Sequence, residues 1–526
     1  MGIYLNPDNT NFRITLSADI YIDKTMMISV LNRFIDTGNK YICVSRARRF
    51  GKTTTSEMLA AYYSRGCDSR ELFSSYKIAS DPSFEKALNK YNVIQIDMNS
   101  EYQFALRGKD MISRLTAKIK AELKEAYPDV STDDTGTLAE TLLKIYQATG
   151  DTFILIMDEY DVLVREQADQ KLFEEYLSFL NGLFKSAPMK PVVSLAYLTG
   201  ILPIVRDRIQ SKLNNFKEYT MYDAGVLAEY IGFTADEVVR LCEKHGIDYD
   251  ECRRWYDGYY QNGYEIYNPK SVIEAVGSGR FSSYWSQTST YKVISDMIGR
   301  NFDGTRDAVI RMMSGENIHI DTYGFLNTLT DFENMDDVFT YLIHLGYLTY
   351  NTDDETCRIP NNEVYGEWQR TVARSADYRE TDTIIKASEK LLEDTIHGDA
   401  SAVALALDES HIHVSSNRSY NNEDVLQSAI YLAYIYALNE YTIIREMTAG
   451  KGFADVVFIP YKPDRPAMII ELKKNSSADS AIDQIKEKRY YASLSKYRGD
   501  LLFVGINYDE KLKTHDCKIE HFNKTA

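Results

Sequence analysis

The sequence lacks closely paired cysteines. Its six cysteines are scattered over 526 residues, and none belongs to a C-x-x-C pair. The amino terminus, MGIYLNPDNT, has no basic segment followed by an apolar stretch, so we expect no signal peptide. Without a secretory context, scattered cysteines are typical of reduced thiols. We therefore expect a cytoplasmic protein.

Long apolar runs and an excess of positive charge are also missing. The longest apolar runs, such as TFILIM and AIYLAYIYAL, are too short to cross a bilayer, so we expect no membrane partner. The formal net charge is -17. A chain this acidic does not attract nucleic acid as a whole, and any such contact must come from local basic patches.

No internal repeat and no Pro/Gly-rich linker marks a domain boundary, although the length predicts two or three domains. The first 200 or so residues alternate amphipathic stretches with four apolar runs: YICVS, NVIQIDM, TFILIMDEY and VVSLAYLTG. Continuous apolar strands suit a parallel sheet that is covered on both faces. This pattern predicts an α/β nucleotide-binding architecture.

A phosphate-binding loop is predicted where the first apolar run ends. Gly51-Lys52-Thr53 follows that run and precedes good helix formers, so backbone N–H groups at the helix start would face an anion. Lys52 would contact the β- and γ-phosphates of ATP, and the Thr53 hydroxyl would hold Mg²⁺. Arg49, Gly51 and Thr54 complete the expected nucleotide site.

Two further strand ends fit the same site. TFILIMDEY ends in Asp158-Glu159, and carboxylates are rare at the end of a buried strand unless they cap a helix or hold a cation. Asp158 would then bind the Mg²⁺ shell, and Glu159 would orient the attacking water. Thr199 closes another apolar strand and could sense the γ-phosphate, although an ordinary strand-ending turn explains it alone.

A second constellation lies near the carboxyl terminus. Glu471 and Lys473 are two residues apart, so both side chains lie on one face of a strand, and Asp455 comes at a turn into the preceding strand. Two carboxylates suit a divalent cation, and a lysine beside them can position or activate a water. This D…E-x-K pattern, which a cross-strand salt bridge would also explain, favours metal-dependent phosphodiester hydrolysis with Asp455, Glu471 and Lys473 as catalytic residues.

Several segments together resemble a known family. CVSRARRFGKTTTSEMLAAYYS, ILIMDEYDVLV, RRWYDGYYQNGYEIYNPKSVI and RIPNNEV are similar to segments of bacterial AAA-ATPase-like proteins that carry a C-terminal PD-(D/E)xK nuclease-like domain. The family's loop also lacks the first glycine, whose place Arg46 takes here. The resemblance implies Glu423 as an additional metal ligand, Gln484 and Tyr490 as supporting residues, and a role against foreign or mobile DNA.

We expect three segments on this basis: an AAA-ATPase-like P-loop domain at 1–215, a middle segment at 216–375 and a restriction-endonuclease-like α/β domain at 376–526. In the middle segment, VFTYLIHLGYLTYNTDDETCRIPNNEV predicts a helix and two short strands, which fit a winged-helix-like unit or a helical lid. Arg46, Arg48 and Arg49 would either clamp phosphates or point outward. No arginine finger is identified, with Arg206 and Arg208 as candidates.

The favoured hypothesis is an ATPase whose nucleotide state controls a Mg²⁺-dependent nuclease-like domain acting on DNA rather than RNA. A basic stretch suits contact with the DNA backbone, although a solvated helix face also explains it: Lys473, Lys474, Lys486, Lys488, Arg489, Lys496 and Arg498. The alternative is a nucleotide-operated switch or scaffold whose C-terminal domain binds nucleic acid or protein without cleaving. In a third hypothesis the ATPase works alone, and the nuclease fold assembles a homo-oligomer.

Overall fold

The structure is a computed structural model. It describes residues 2–106, 109–131, 135–204, 213–285, 302, 304–313, 315–323, 325, 332–374, 379–414, 430, 433–434, 436–437, 440–449, 452–461, 465–494, 497 and 499–522. Within these ranges no helix is both long and apolar enough to cross a membrane.

The chain forms two compact units. The first comprises Met1–Thr290, Asn301–Thr305 and Asn317–Tyr365, and the second Tyr291–Arg300, Arg306–Glu316 and Gly366–Ala526.

A parallel sheet forms the centre of the first unit. Its strands are β1 (Tyr41–Ser45), β2 (Asn92–Asp97), β3 (Phe153–Asp158), β4 (Val193–Gly200) and β5 (Lys217–Tyr219). The order is β2-β3-β4-β1-β5, and every neighbouring pair is parallel. The four predicted strands and the parallel α/β architecture are confirmed. The fifth strand escaped prediction because its three residues, KEY, form no apolar run.

Helices cover this sheet and make up much of the rest of the described chain. Their bounds are α1 Thr10–Leu16, α2 Met26–Asn32, α3 Lys52–Tyr63, α4 Arg70–Phe73, α5 Phe84–Ala87, α6 Met98–Phe104, α7 Met111–Ala126, α8 Leu138–Thr149, α9 Val162–Arg165, α10 Gln170–Phe184, α11 Ala235–His245, α12 Tyr249–Tyr256, α13 Pro269–Ser278, α14 Thr305–Met313, α15 Met335–Leu345, α16 Asn362–Arg374, α17 Arg379–Ile396, α18 Ala400–Val414 and α19 Ala478–Lys488. Short 3₁₀ turns span Lys77–Ser80, Ala187–Met189, Gly225–Tyr230 and Tyr490–Leu494. Local sequence explains several ends. Helix α8, for example, begins with a capping box of Thr137 and Glu140 and ends at the left-handed Gly150.

Two small antiparallel sheets follow the parallel sheet in the first unit. One contains β6 (Phe233–Thr234), β7 (Tyr259–Gln261) and β8 (Tyr264–Tyr267) in the order β6-β8-β7. Its hairpin turns at Asn262-Gly263, where both residues have positive φ. Asn-Gly between strand formers is a strong hairpin signal.

The second small sheet belongs to the segment for which a winged-helix-like unit or a lid was expected. It contains β9 (Ile318–His319), β10 (Thr349–Asn351) and β11 (Thr356–Arg358) in the order β10-β11-β9. Helix α15 directly precedes β10, so the predicted helix and two strands are confirmed. The segment boundaries at 215 and 375 stay predictions.

A mixed sheet forms the core of the second unit. Its strands are β12 (Tyr441–Ala449), β13 (Gly452–Pro460), β14 (Ala467–Lys474), β15 (Leu501–Asp509) and β16 (Thr514–Phe522), in that order. Only β14 and β15 pair in parallel; the other pairs are antiparallel. Alternate residues enter two cores, one on each face of the sheet: Met468 and Ile470 join Leu391 and Leu392, whereas Ile469 joins α19. The expected C-terminal α/β fold is confirmed.

Candidate functional site

The carboxyl ends of β1, β3 and β4 meet at one edge of the parallel sheet, with β4 in the middle. Backbone hydrogen bonds join the segments there. The Arg46 N–H donates to the Gly200 carbonyl at 3.0 Å, and the Tyr160 N–H donates to the Thr199 carbonyl at 3.1 Å. Ligands of open parallel sheets bind at this edge. The fold therefore brings the predicted phosphate loop together with Asp158 and Thr199.

The Lys52 side chain lies inside the phosphate loop. Gly51 has a left-handed φ of 89° and helix α3 starts at the next residue. The Lys52 Nζ donates to the carbonyls of Arg46 at 3.0 Å and Ala47 at 3.1 Å. Burial lowers the pKa of this lysine, while the negative charges of Glu159 and Asp158 oppose that shift. A buried ammonium whose hydrogen bonds, within the described chain, go only to loop carbonyls is well placed to bind an anion.

Arg46 neither clamps a phosphate nor points outward; it lies in the protein core. Its side chain is 0% exposed, and Nη1 donates to the carbonyls of Ser45, Tyr219 and Thr220 at 2.8, 2.9 and 2.8 Å. Burial lowers the pKa of its guanidinium to about 10. Arg46, which takes the place of the loop's first glycine, thus links the end of β1 to the end of β5. Sequence alone could not distinguish this outcome from the two that were considered.

The other two loop arginines are exposed. Arg49 has a left-handed φ of 72°, which bends the chain ahead of Gly51. The Arg48 carbonyl accepts hydrogen bonds from Asn268 Nδ2 at 3.2 Å and from Trp285 Nε1 at 3.4 Å. Both guanidinium groups are free to reach solvent or a ligand, so a nucleotide contact by Arg49 stays a prediction. Arg206 and Arg208 lie outside the described residues.

Restoring glycine at position 46 should damage the protein rather than improve nucleotide binding. Arg46→Gly removes the donor for three buried carbonyls, and we expect a loss of about 3 kcal/mol or more in the free energy of unfolding. Urea denaturation measures this loss. The control is Arg48→Gly in the same loop, which should change stability by less than about 1 kcal/mol because Arg48 is exposed. Equal effects of the two variants would refute the structural role of Arg46.

Asp158 and Thr53 meet at the end of β3. Asp158 is 4% exposed. Burial raises its pKa to about 7, the hydroxyl of Thr53 donates a hydrogen bond that opposes this rise, and the charge of Glu159 adds to it. The Thr53 hydroxyl and the Asp158 carboxylate together offer oxygen ligands that suit a hard cation. A bound cation would favour the charged form of Asp158, which burial disfavours.

Glu159 is held by a partner that the sequence analysis missed. Its carboxylate forms an ion pair with Arg165, which also lies 3.0 Å from Asp161. The Glu159 backbone is left-handed, with φ of 52°. The sequence signal for this cluster was the four-residue spacing of Asp161 and Arg165, which suits an ion pair on a helix, whereas no helical spacing connects Arg165 with Glu159.

Thr199 is fully buried near the end of β4. The next residue must be glycine, since a Cβ on Gly200 would lie 2.5 Å from Asp161 Oδ1 and 2.9 Å from the Tyr160 ring. Asp161 Oδ2 in turn accepts the N–H groups of Ile201 and Leu202 at 3.0 and 2.9 Å. The Thr199 strand end is therefore packed directly against the chain that carries Glu159.

Gly200→Ala should disturb the site and the fold together. The added methyl group must displace Asp161, at a cost of about 1–3 kcal/mol in stability, and phosphate release should fall with it. Gly182→Ala is the control, because a Cβ there meets only Ala139 Cβ at 3.7 Å within a helix. It should preserve both melting temperature and activity. A Gly200→Ala protein with unchanged melting temperature and turnover would contradict this packing.

A cavity of about 310 Å³ opens beside Gly51 and Thr54. Its lining is mainly apolar and includes Ile20, Ile22, Phe50, Met58, Phe233 and Ile273. Such a space suits a planar base. Lys24 also lines this cavity, and its side chain pairs with Glu237 at 2.6 Å. Asp23 instead accepts hydrogen bonds from Thr25 and from the Lys77 N–H.

In the second unit, Asp455 and Glu471 lie on adjacent antiparallel strands, β13 and β14. Asp455 lies within β13 and not at a turn into it. Glu471 is 2% exposed, and its Oε2 is buried with no hydrogen-bond partner in the described chain. Burial, followed by the charge of Asp455, raises the pKa of Glu471 to about 7. An unsatisfied oxygen beside a second carboxylate fits a divalent cation.

Lys473, Gln484 and Tyr490 lie next to Glu471. Lys473 Nζ lies 3.1 Å from Glu471 Oε1 and donates to Gln484 Oε1 at 2.6 Å. The Gln484 side-chain amide donates to Glu471 and lies 3.2 Å from the Tyr490 hydroxyl. Glu423 lies outside the described residues. Among those described, no group of three or more His, Cys, Asp or Glu side chains gathers as a metal site.

The basic stretch around this site is partly neutralised. Lys474 pairs with Glu510 at 3.3 Å, and Lys486 pairs with Glu520 at 2.6 Å. Lys488 and Arg489, at the end of α19, are exposed. Lys496 and Arg498 lie outside the described residues. Contact with a nucleic-acid backbone therefore depends on fewer cations than the sequence suggested.

Two families match this chain, one over each candidate site. Residues 10–210 match the family described as predicted AAA-ATPase, and residues 421–517 match the PD-(D/E)XK nuclease superfamily. An uncharacterized protein in the vnfD 5′ region of Azotobacter chroococcum mcd 1 is 24% identical over 284 residues, which cover 53% of this chain and 52% of that protein. The match thus spans about half the length of that relative.

Similarity to solved structures is weak. The Aeropyrum pernix ORC2 protein in ADPNP-ADP complexes is 10% identical, covers 69% of this chain and 97% of its own, and has a TM-score of 0.34. The Aeropyrum pernix ORC1 protein in complex with DNA is 9% identical, with coverages of 93% and 99% and a TM-score of 0.27. No conclusion follows from scores of this size. By the family matches, the chain carries an AAA-ATPase-like domain at residues 10–210 and a PD-(D/E)XK nuclease superfamily domain at residues 421–517.

Proposed function

We propose that this protein binds and hydrolyses ATP, and that its nucleotide state controls a metal-dependent nuclease-like domain that acts on nucleic acid. DNA is the proposed substrate, with foreign or mobile DNA as the source that the family resemblance implies, and the cytoplasm is the proposed location. The observation that carries the proposal is the buried Lys52 ammonium, which lies inside a loop at the same sheet edge as Asp158, Glu159 and Thr199.

The first site supports nucleotide hydrolysis through the roles of its side chains. Lys52 would bind the β- and γ-phosphates, and the apolar cavity beside Gly51 would take the base. Glu159 would orient the attacking water. Thr199, whose carbonyl accepts the Tyr160 N–H next to Glu159, is proposed as the residue that senses the γ-phosphate. Arg49 and Thr54 are proposed to line the phosphate chain.

The second site supports phosphodiester hydrolysis. Asp455 and Glu471 offer acceptor oxygens, and Lys473 is held by Gln484 where it can position a water. Mg²⁺ would be held at the first site by Thr53 and Asp158, and at the second site by Asp455, Glu471 and Glu423. At both sites it would neutralise charge that develops on phosphate oxygens. The orphaned Glu471 oxygen and the Thr53–Asp158 contact fit such an ion.

One observation favours the alternative, a nucleotide-operated switch whose C-terminal domain binds without cleaving. In the described part of the second unit, the candidate metal site has only two carboxylates. A binding domain of this kind would retain its nucleic-acid affinity when Glu471 is replaced, and would release no product.

The experiment combines both sites. Purified protein is incubated with plasmid and linear DNA, Mg²⁺ or Mn²⁺, and with or without ATP, in parallel with Lys52→Ala and Glu471→Ala. We expect phosphate release to depend on Lys52 and DNA cleavage to depend on Glu471. Phosphate release that persists in Lys52→Ala overturns the first assignment. Absence of cleavage by the wild-type protein, with binding retained in Glu471→Ala, favours the switch.

A further inference from the structure

Glu159, the proposed water-orienting residue, belongs to a cluster of three charged side chains. Arg165, at the end of α9, pairs with the carboxylates of Glu159 and Asp161. The Arg165 side chain is 12% exposed and that of Asp161 is 2% exposed. A guanidinium between two carboxylates, largely shielded from solvent, holds both more firmly than a surface pair would.

This cluster is connected to the end of β4. Asp161 Oδ2 accepts the N–H groups of Ile201 and Leu202, the residues that follow Thr199-Gly200. Gly200 has no room for a side chain because Asp161 lies against it. Any movement of the chain after Thr199 must therefore move Asp161, and with it the pairing of Arg165.

The same cluster faces the phosphate loop and helix α15. Besides burial and the charges of Glu159, Asp158 and Asp161, the charge of Arg165 acts on the pKa of Lys52. The largely buried Tyr341 of α15 has its pKa raised to about 12 by burial, an effect that Asp161 strengthens and Arg165 weakens. Arg165 is thus close to the site of the nucleotide and to the helix that precedes β10.

We propose that Arg165 is a positioning residue that holds the Glu159 carboxylate in an ion pair and releases it when nucleotide binds and the chain after Thr199 shifts. This inference rests on the proposed function. The Arg165 guanidinium occupies Glu159 Oε2 and stabilises the negative charge of the carboxylate, which makes Glu159 a weaker acceptor for the proton of a water. Glu159 also needs a left-handed backbone to reach this position, which a non-glycine residue adopts only when the surrounding contacts require it.

The latch formed by Glu159, Arg165 and Asp161 makes nucleotide binding less favourable, because part of the binding free energy is used to open it. Weakening the latch from either side should tighten binding. Arg165→Gln retains hydrogen bonding but removes the charge. We expect its dissociation constant for nucleotide to be about fivefold lower, because an ion pair of ordinary strength corresponds to a factor of about that size.

The test measures the affinity for a fluorescent ATP analogue in EDTA, where no hydrolysis occurs. Arg165→Gln and Glu159→Gln should each bind about fivefold more tightly, and the double variant should bind no more tightly than either single variant, because all three remove the same pair. Arg65→Gln is the control. Arg65 pairs with Asp151, which precedes β3 at the opposite end of the sheet, so its loss should leave the affinity unchanged.

Turnover separates the latch from two simpler roles. In Arg165→Gln, KM for ATP should fall while kcat is retained and still depends on Glu159. Unchanged affinity with a lower melting temperature would make Arg165 merely structural and overturn the inference. A large fall in kcat at constant KM would also overturn it. If Arg165→Gln fails to fold, Glu159→Gln still tests the latch through binding. If the wild-type protein shows no nucleotide binding that depends on Lys52, the proposed function itself fails.

Discussion

Lys52→Ala should lower ATP hydrolysis by about 10²- to 10³-fold, the cost of removing one preorganised charge from a phosphoryl-transfer site. The reason is local. Among the described residues, the buried Lys52 ammonium is bonded only to the loop carbonyls of Arg46 and Ala47, which hold it inside the proposed phosphate loop. Malachite-green phosphate release measures the rate, and fluorescence anisotropy of an ATP analogue measures binding.

The matched control for this result is Lys40→Ala. Lys40 is also buried, and its Nζ donates to the Lys190 carbonyl at 2.6 Å, but it precedes β1 at the opposite edge of the sheet. Both substitutions remove a buried ammonium bonded to main-chain oxygens, so both should lower stability. Only Lys52→Ala should lose nucleotide binding. Parallel losses in the two variants would show that the effect is structural and would contradict the assignment of the loop.

Glu471→Gln should abolish DNA cleavage and at the same time stabilise the metal-free protein. The folded pKa of about 7 lies above the ordinary value of 4.5. The Glu471 carboxyl therefore loses its proton at a lower pH in the unfolded chain than in the folded protein. As a result, the free energy of unfolding falls as the pH rises from 4.5 to 7 and stays lower above pH 7. Glutamine removes this dependence. In EDTA at pH 8, Glu471→Gln should melt at a higher temperature than the wild type, and at pH 4 the two should converge.

The control for Glu471 is Asp408→Asn in the same unit. Asp408 accepts hydrogen bonds from the backbone and ring of His515, and so serves packing between α18 and β16. Its replacement should lower the melting temperature and leave cleavage intact. A Glu471→Gln protein that melts below the wild type at pH 8, or one that still cleaves, would contradict the interpretation of Glu471 as a buried carboxylate kept for a cation.

The sequence predicted the parts of the fold that depend on local pattern. The apolar runs that became β1, β3 and β4 are continuous and buried, and most of β2 is buried as well. The Glu471-x-Lys473 spacing places both side chains on one face of a strand through its period of two. Strand β5 has no such pattern. It exists because β1 offers it an edge and because Arg46 bonds the carbonyls at its end.

Tertiary contacts decided what the sequence could not. Arg46 occurs in an arginine-rich loop and only its burial shows that it stabilises the core. The pairing of Arg165 with Glu159 needs a left-handed residue at 159, which no spacing rule anticipates. The base-sized cavity depends on residues far apart in the chain, from Ile20 to Ile273. Such arrangements become visible only when distant segments are packed together.

Nucleotide control of the nuclease-like domain can be measured as the rate of plasmid cleavage at increasing ATP concentrations. Wild-type protein and Lys52→Ala are compared at saturating Mg²⁺, with Glu471→Gln as the blank. We expect the wild-type rate to change with ATP over the range in which ATP binds, whereas the rate of Lys52→Ala should not respond. A wild-type cleavage rate that is the same at every ATP concentration, in a protein that demonstrably binds ATP, would contradict nucleotide control.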